Sequence, residues 1–188
     1  MKPVNGFNPE KMSGAFEALP AGAYVAKISA VKIEGTDPYQ NLILRVDIVE
    51  GEYAGYYTKR FKAQSEAKNS QYEVKYKGDF RITLPADGQQ YQRSNLNRFN
   101  DAIWKIQKSN DGFTFDGEHE QTLVGKLVGI NVRNASFNGC SYTEIGQLET
   151  VQDVRDGKCR EMKERVRNDQ PAEEAPVFTP DEDVEIPF

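Results

Sequence analysis

Residues 42–50 read Leu42-Ile43-Leu44-Arg45-Val46-Asp47-Ile48-Val49-Glu50, and apolar and polar side chains alternate along them. The apolar residues at even positions fall on one face, whereas Arg45 and Asp47 fall on the other. This period of two predicts a strand with one buried and one exposed side. A strand of this kind needs partners in a sheet, and several other runs of strand character lie before and after it.

Strand character marks residues on both sides of this stretch. Residues 23–33 form a long run whose apolar face changes between Ile28 and Val31, which predicts a bulge. Further strands are predicted at 56–62 and 79–84. Two more strands follow at 123–133 and 141–151, joined by a turn at Asn138-Gly139.

One amphipathic helix is predicted at 95–109, where apolar residues recur at spacings of three and four from Leu96 to Ile106. Ser94 or Asn95 would cap its first turn. Residues 154–166 predict a second, short helix. Residues 63–78 have no sustained period, which indicates a long loop or a protruding hairpin.

The order of these elements predicts the fold class. With the short run at 79–84 not counted, the order is three strands, a helix and two further strands, which is the order of an OB-fold, an all-β protein with a five-stranded Greek-key β-barrel and a helix between strands 3 and 4. A generic α+β sandwich would give a similar order, so the pattern leaves both open. The expected domains are an N-terminal lead-in (1–20), the barrel domain (21–167) and a disordered acidic tail (168–188).

The net charge is divided unevenly along the chain. The 188 residues carry 24 Lys and Arg and 29 Asp and Glu, which gives a formal net charge of -5. Seven of those acids and none of the bases lie in 169–188, so residues 1–168 hold 24 bases against 22 acids, a formal charge of +2. The acidic total therefore does not exclude a nucleic-acid partner for the body of the chain.

Other features of the composition concern location. No run approaches the roughly 18 apolar residues that cross a bilayer, and the first residues lack the apolar core of a signal peptide. The two cysteines, Cys140 and Cys159, form no CxxC pair. These features predict no membrane partner and a cytoplasmic protein with free thiols.

The last eight residues, Asp181-Glu182-Asp183-Val184-Glu185-Ile186-Pro187-Phe188, combine acids with an apolar ending. The Phe188 ring can enter an apolar pocket while its α-carboxylate meets a cation, and the acids before it steer the approach. A tail that only solubilises the chain would not need this ending. The sequence therefore predicts partner binding through Asp181, Glu182, Asp183, Glu185, Ile186, Pro187 and Phe188.

This ending resembles that of bacterial and phage single-stranded DNA-binding proteins, which finish on acids followed by Ile-Pro-Phe or a close variant. The body is similar to the phage- or prophage-type members of this class along four short motifs, at 19–24, 42–55 (with the turn 49–55), 123–129 and 151–158. The resemblance departs from that group after residue 158, where a Pro-rich link is common but residues 159–166 have helical character here.

The resemblance implies a function and a set of partners. It implies that the protein coats exposed single-stranded DNA in replication, recombination or repair, within the cytoplasm of a bacterial host cell. It also implies that the tail recruits replication, recombination and repair proteins. A homo-oligomer is compatible with the resemblance, which leaves the oligomeric state open.

Binding of single strands needs cations that follow the phosphates and flat side chains on which bases stack. Residues 59–81 hold seven bases against three acids, interleaved with aromatic rings. Strand alternation assigns Phe61 and Phe80 in this window to the core. The predicted DNA-binding residues of the window and the strand before it are Arg45, Lys59, Arg60, Lys62, Tyr72, Lys75, Tyr76, Lys77 and Arg81.

Two further groups complete the predicted interface. Tyr91 and Arg93 lie in the loop before the predicted main helix. Phe137 and Tyr142 flank the turn between the last two strands, where loops of this fold can embrace nucleic acid. Arg133 faces away from the apolar side of its strand, so it is expected to be exposed.

Catalysis has little support in the sequence. His119 is the only histidine, and it lies in the acidic run 116–120 without metal-ligand spacing. No P-loop and no GxGxxG occurs. We therefore predict no catalytic or metal-binding residues, no cofactor and no enzymatic activity. Two alternatives stay open: a phage adaptor or other protein-interaction module without DNA activity, and an RNA-binding protein of the same fold.

Overall fold

The structure is a computed structural model and describes residues 18–66, 73–138 and 140–167. In these residues the chain forms six β-strands and three α-helices, with one 3-10 helix at Glu120–Leu123. The strands are β1 (Gly22–Glu34), β2 (Asn41–Ile48), β3 (Asp79–Thr83), β4 (Leu127–Phe137), β5 (Cys140–Glu149) and β6 (Arg165–Arg167). The helices are α1 (Tyr56–Glu66), α2 (Gln92–Lys108) and α3 (Val151–Arg155).

Five of the strands form an antiparallel sheet in the order β3-β2-β1-β4-β5, and β6 pairs in parallel with β4. Strand β1 is central because it pairs with β2 on one side and β4 on the other. The register between β1 and β2 shifts between Ile28 and Ala30, which confirms the predicted bulge. The β4–β5 hairpin continues past Val132, the partner of Gly22 at the start of β1, so its end projects beyond the centre of the sheet.

The core lies on one face of this sheet, against α1 and α2. Leu44 and Val46 of β2 are fully buried, as the alternation of residues 42–50 predicts. Ile28 of β1, Ile130 of β4 and Ile106 of α2 are fully buried in the same cluster. Burial of such side chains is the main force that holds the helices on the sheet.

The predicted closed five-stranded OB-fold barrel is wrong. In the described residues the sheet is open, because β3 pairs with β2 alone and β5 with β4 alone. The space between these two edges is lined by Phe80 and Ile82 of β3, Gly146 and Leu148 of β5 and Ala102 of α2. The fold is therefore mixed α/β and not all-β. Periodicity locates strands, but it does not report whether two distant edges pair.

The predicted third strand at 56–62 is also wrong, because these residues begin helix α1. Asp47 of β2 holds the first turn: its Oδ1 accepts from the amide of Tyr57 at 3.0 Å and its Oδ2 from the amide of Thr58 at 3.2 Å. Gly55, with a φ of 75°, makes the turn before it. The helix runs into the region predicted as a loop at 63–78, of which residues 67–72 lie outside the described ranges.

The predicted main helix is confirmed as α2, although it begins at Gln92 and not at residue 95. Tyr91 stands at the N-cap position, so the cap predicted at Ser94 or Asn95 is wrong. The strands predicted at 123–133 and 141–151 are confirmed as β4 and β5 with shifted ends. The length and apolarity needed to cross a bilayer are found in no helix of the described ranges.

The helix predicted at 154–166 is wrong over most of its length. Helix α3 begins earlier, where the side chain of Thr150 accepts from the amide of Asp153 at 3.1 Å. Gly157, with a φ of 65°, follows its end, and the chain then runs without helical structure into β6. The segment 158–167 lies against the β4–β5 hairpin, where Asn131 donates to the carbonyl oxygen of Arg160 and β6 pairs with β4.

Candidate nucleic-acid interface

The best-supported group of predicted binding residues lies where α1 meets the chain leading into β3. The ring of Phe61 on α1 packs against the ring of Tyr76, with centroids 5.7 Å apart. Lys62 follows Phe61, and Lys75 and Lys77 flank Tyr76, so the three lysines are the chain neighbours of this packed pair of rings. All three are exposed, and none forms an ion pair with a carboxylate in the described ranges. We call Lys62, Lys75 and Lys77 the lysine patch.

Two other predicted cations lie on α1 but are engaged within the protein. The Lys59 ammonium group donates to the carbonyl oxygen of Ala54 at 2.8 Å. Arg60 is half-buried, and its Nη1 donates to the hydroxyl of Tyr56 at 3.3 Å. Among the described residues, Arg60 Nε is buried without a hydrogen-bond partner and no carboxylate neutralises the guanidinium. Arg60 therefore adds positive charge behind the lysine patch.

Tyr76, predicted to stack on bases, is a packing residue in this structure. Its ring lies against Tyr57 and Phe61, and its hydroxyl donates to the carbonyl oxygen of Val46 at 3.1 Å. Burial raises the pKa of its hydroxyl to about 12. A ring held on several sides offers little free face to a base. Phe61 is likewise partly buried, in agreement with its assignment to packing.

Arg45 and Arg81, predicted to face the DNA, are paired with carboxylates. Arg45 makes two hydrogen bonds to Asp79 across β2 and β3, at 2.8 and 3.0 Å. Arg81 on β3 lies 3.2 Å from a carboxylate oxygen of Glu34 on β1. A paired cation contributes little net charge to the surface, so these two residues are weaker candidates than the lysine patch.

Tyr91 and Arg93 lie at the start of α2. Tyr91 is 65% exposed and Arg93 is also exposed. Tyr91 is the N-cap residue and Arg93 lies in the first turn of α2, so the prediction that both lie in a loop before the helix is wrong for Arg93.

The β4–β5 hairpin places two predicted aromatic side chains in solvent. Phe137 and Tyr142 are 39% and 38% exposed. Tyr142 pairs with Ala135, two residues from Phe137 on β4, so both rings stand on the same face of the hairpin. Arg133 shares this face, but the prediction that it is freely exposed is wrong. Its guanidinium is about one-fifth exposed and donates to the carboxylate of Glu144 at 2.6 and 2.9 Å.

The segment 158–167 is the part of the basic surface that sequence reasoning missed. It holds five bases, Lys158, Arg160, Lys163, Arg165 and Arg167, against Glu161 and Glu164. The positive charge of this segment was visible in the sequence. Its position along the hairpin was not, because a helix was predicted at 154–166. Arg160, Lys163 and Arg167 make no ion pair with any carboxylate in the described ranges.

Some predicted residues cannot be placed. Tyr72 and the predicted partner-binding residues 181–188 lie outside the described ranges. Within the described ranges, no three His, Cys, Asp or Glu side chains come together as metal ligands would. His119, the only histidine, pairs with Asp116 at 2.5 Å in an exposed loop.

Comparison with known proteins adds no identity to this geometry: no model of a protein family matches the chain, and no curated protein matches it.

Proposed function

We propose that the protein binds single-stranded DNA without strong sequence preference and coats exposed strands during replication, recombination or repair. The observation that carries the proposal is the lysine patch, three exposed lysines that adjoin the Phe61–Tyr76 contact and form no ion pair with a carboxylate in the described part of the chain. A polyanionic strand neutralises such a group without first breaking an ion pair. Each contact to a phosphate releases condensed counterions, which favours binding at low salt.

Exposed aromatic rings supply the second requirement of single-strand binding. Bases of an unpaired strand stack on flat side chains and gain about 1–3 kcal/mol per base. Phe137 and Tyr142 are exposed on one face of the hairpin and are available for this role. Base pairs in a duplex are already stacked, so these rings favour the single strand over the duplex.

The C-terminal tail adds a proposed partner-binding function. The acids of 181–185 and the apolar ending Ile186-Pro187-Phe188 suit a pocket that combines an apolar cavity with a basic rim. Replication, recombination and repair proteins are the partners that the resemblance implies. The tail and the lysine patch would then join strand coating and recruitment in one chain.

Titration of the full chain with fluorescein-labelled oligo-dT of about 30 nucleotides tests the proposal at low and moderate salt. A matched duplex and a matched RNA oligomer serve as controls. We expect tight binding to oligo-dT that weakens with salt and exceeds duplex binding. Absence of binding to any oligomer at low salt would exclude the proposal and leave the interaction-module alternative. Tighter binding to RNA than to DNA would replace DNA by RNA as the ligand.

A further inference from the structure

Strand β6 extends the β4–β5 hairpin into a three-stranded surface. It pairs in parallel with β4, so that Arg165 lies opposite Ala135 and Arg167 opposite Phe137. Residues paired across a ladder point to the same face of a sheet. The two arginines of β6 therefore stand on the face that carries the Phe137 ring, and Val166 points to the other.

Two side-chain contacts support this assignment of faces. The carboxylate of Glu144 on β5 accepts from Arg133 on β4 and also lies 3.4 Å from Nη1 of Arg165 on β6. One carboxylate can bridge both cations only if all three side chains share a face. Since Glu144 and Tyr142 are two residues apart on β5, the Tyr142 ring belongs to that face as well.

The segment that leads into β6 is held on the hairpin by specific contacts. The side-chain amide of Asn131 donates to the carbonyl oxygen of Arg160 at 2.9 Å. Met162 packs directly over Gly146, where an added Cβ would lie 2.6 Å from its sulfur. These contacts fix the position of a strand that is only three residues long.

We infer that Phe137, Tyr142, Arg165 and Arg167 form a stacking platform for single-stranded DNA, which we call the hairpin platform. The inference rests on the proposed function and names a surface for it that includes β6. Around the two rings, among the described residues, this face carries Arg133, Arg165 and Arg167 beside the carboxylate of Glu144, whereas Glu149 lies at the other end of β5, so the local net charge suits a polyanion. Arg167 makes no ion pair in the described ranges and is free to meet a phosphate.

The geometry of the platform fits an unpaired strand. Phe137 and Tyr142 are diagonal neighbours on adjacent strands, a relationship that places residues about 7–8 Å apart. Two rings at that separation can each hold one base of a strand that is splayed out of its own stack. The flanking arginines lie on the β6 side of the rings, where the backbone of such a strand would pass.

Four single substitutions in the full chain test the platform by oligo-dT titration. Phe137→Leu and Tyr142→Leu remove a ring but keep an apolar side chain of strand-compatible shape, and each is expected to weaken binding about 5- to 100-fold. Arg167→Gln is expected to lower the slope of log K against log salt by about 0.7. Val166→Thr, a neighbouring change on the opposite face, is expected to leave both quantities unchanged. Thermal melts compare the folding of the four variants.

A second measurement does not depend on any variant. The wild-type chain is photo-crosslinked to an oligo-dT that contains 5-iododeoxyuridine, and the attached peptide is identified by mass spectrometry. Crosslinks at Phe137 or Tyr142 support the platform. If the wild-type chain binds oligo-dT but crosslinks only elsewhere, and the two leucine variants bind normally, the platform is excluded while the proposed function stands. If the wild-type chain does not bind oligo-dT, the proposed function itself fails.

Discussion

Arg45 and Asp79 face each other across strands β2 and β3 and form a two-point ion pair, with Nε 2.8 Å from Oδ1 and Nη2 3.0 Å from Oδ2. The same guanidinium lies 4.7 Å from the centre of the Tyr76 ring. Its hydrogen bonds to Asp79 raise the pKa of Arg45 above its usual range. The guanidinium of Arg45 is therefore engaged within the protein, and its charge is largely neutralised before a phosphate backbone approaches.

The contrast between paired and unpaired cations gives the first prediction. The triple variant Lys62→Gln, Lys75→Gln, Lys77→Gln is expected to lower the slope of log K against log salt for oligo-dT by about 2, because three phosphate contacts of about 0.7 each are lost. All three side chains are exposed, so stability should change by less than about 0.5 kcal/mol.

The control for the triple variant is the double variant Arg45→Gln, Arg81→Gln, which removes two cations that are paired with Asp79 and Glu34. Its salt slope is expected to stay close to that of the wild-type chain. If the double variant loses more of the slope than the triple variant, the lysine patch is not the principal phosphate-binding surface.

The second prediction concerns the pH dependence of stability. Burial raises the pKa of Tyr76 to about 12, above the value of about 10 in an unfolded chain. The stability that this hydroxyl contributes is therefore complete below pH 10 and is lost as the pH rises towards 12, because the unfolded chain ionises first. The midpoint of urea unfolding is expected to fall over this range.

Tyr76→Phe cannot ionise at this position, so its midpoint should fall less steeply between pH 10 and 12. Tyr91→Phe, at a side chain that is 65% exposed, is the matched control and should follow the wild-type profile. Equal slopes for the wild-type chain and Tyr76→Phe would show that the Tyr76 hydroxyl is not buried.

The secondary structure was predictable from the sequence where its signal is local. The alternation of residues 42–50 and the helical spacing from Leu96 to Ile106 produced β2 and α2 correctly. Helix α1 was missed because its first turn is held by Asp47, ten residues before Tyr57. The open sheet was missed because β3 and β5 lie far apart in sequence, and no local pattern reports whether such edges pair.

The features of the candidate site also divide into those that the local sequence predicts and those that depend on distant contacts. The basic character of 59–81 and the aromatic residues of the hairpin were visible in the sequence. The ion pairs that neutralise Arg45, Arg81 and Arg133 were not visible in the sequence, because each carboxylate partner comes from another strand. The position of 158–167 also depends on a distant contact, the pairing of β6 with β4.

The third prediction concerns the close approach of the chain at Gly78. A Cβ at this position would lie 2.8 Å from Cγ of Tyr57 and 2.7 Å from Cε1 of Tyr76, and it would also meet the carbonyl oxygen of Val46. Gly78→Ala is therefore expected to reduce the free energy of unfolding by about 2–3 kcal/mol, measured by urea denaturation.

Gly51→Ala separates this steric effect from backbone strain. Gly51 has a φ of 80°, but apart from its chain neighbours no atom of the described residues lies within 4 Å of the position that its Cβ would occupy. Alanine there is expected to cost only about 1 kcal/mol, from the left-handed backbone conformation. Equal losses for the two variants would contradict the packing of Tyr57 and Tyr76 around Gly78.

The fourth prediction joins the charge of the tail to DNA binding. Residues 169–188 carry seven acids and no base, and they follow Arg167 of the hairpin platform within the same chain. At low salt these acids should compete with phosphates for the lysine patch and the platform, because attraction between exposed charges acts over a Debye length of about 10 Å or more. A chain that ends at residue 168 is therefore expected to bind oligo-dT more tightly than the full chain.

The expected decrease in Kd is about threefold or more at low salt, and it should disappear as screening increases towards about 1 M salt. A full-length variant with the seven acids changed to Asn and Gln keeps the length of the tail and should behave like the shortened chain. If that variant binds like the wild type while the shortened chain binds more tightly, steric exclusion and not charge is responsible. Equal affinity of the full and shortened chains at low salt would exclude competition by the tail, because the acids would then be too far from the DNA-binding cations to matter.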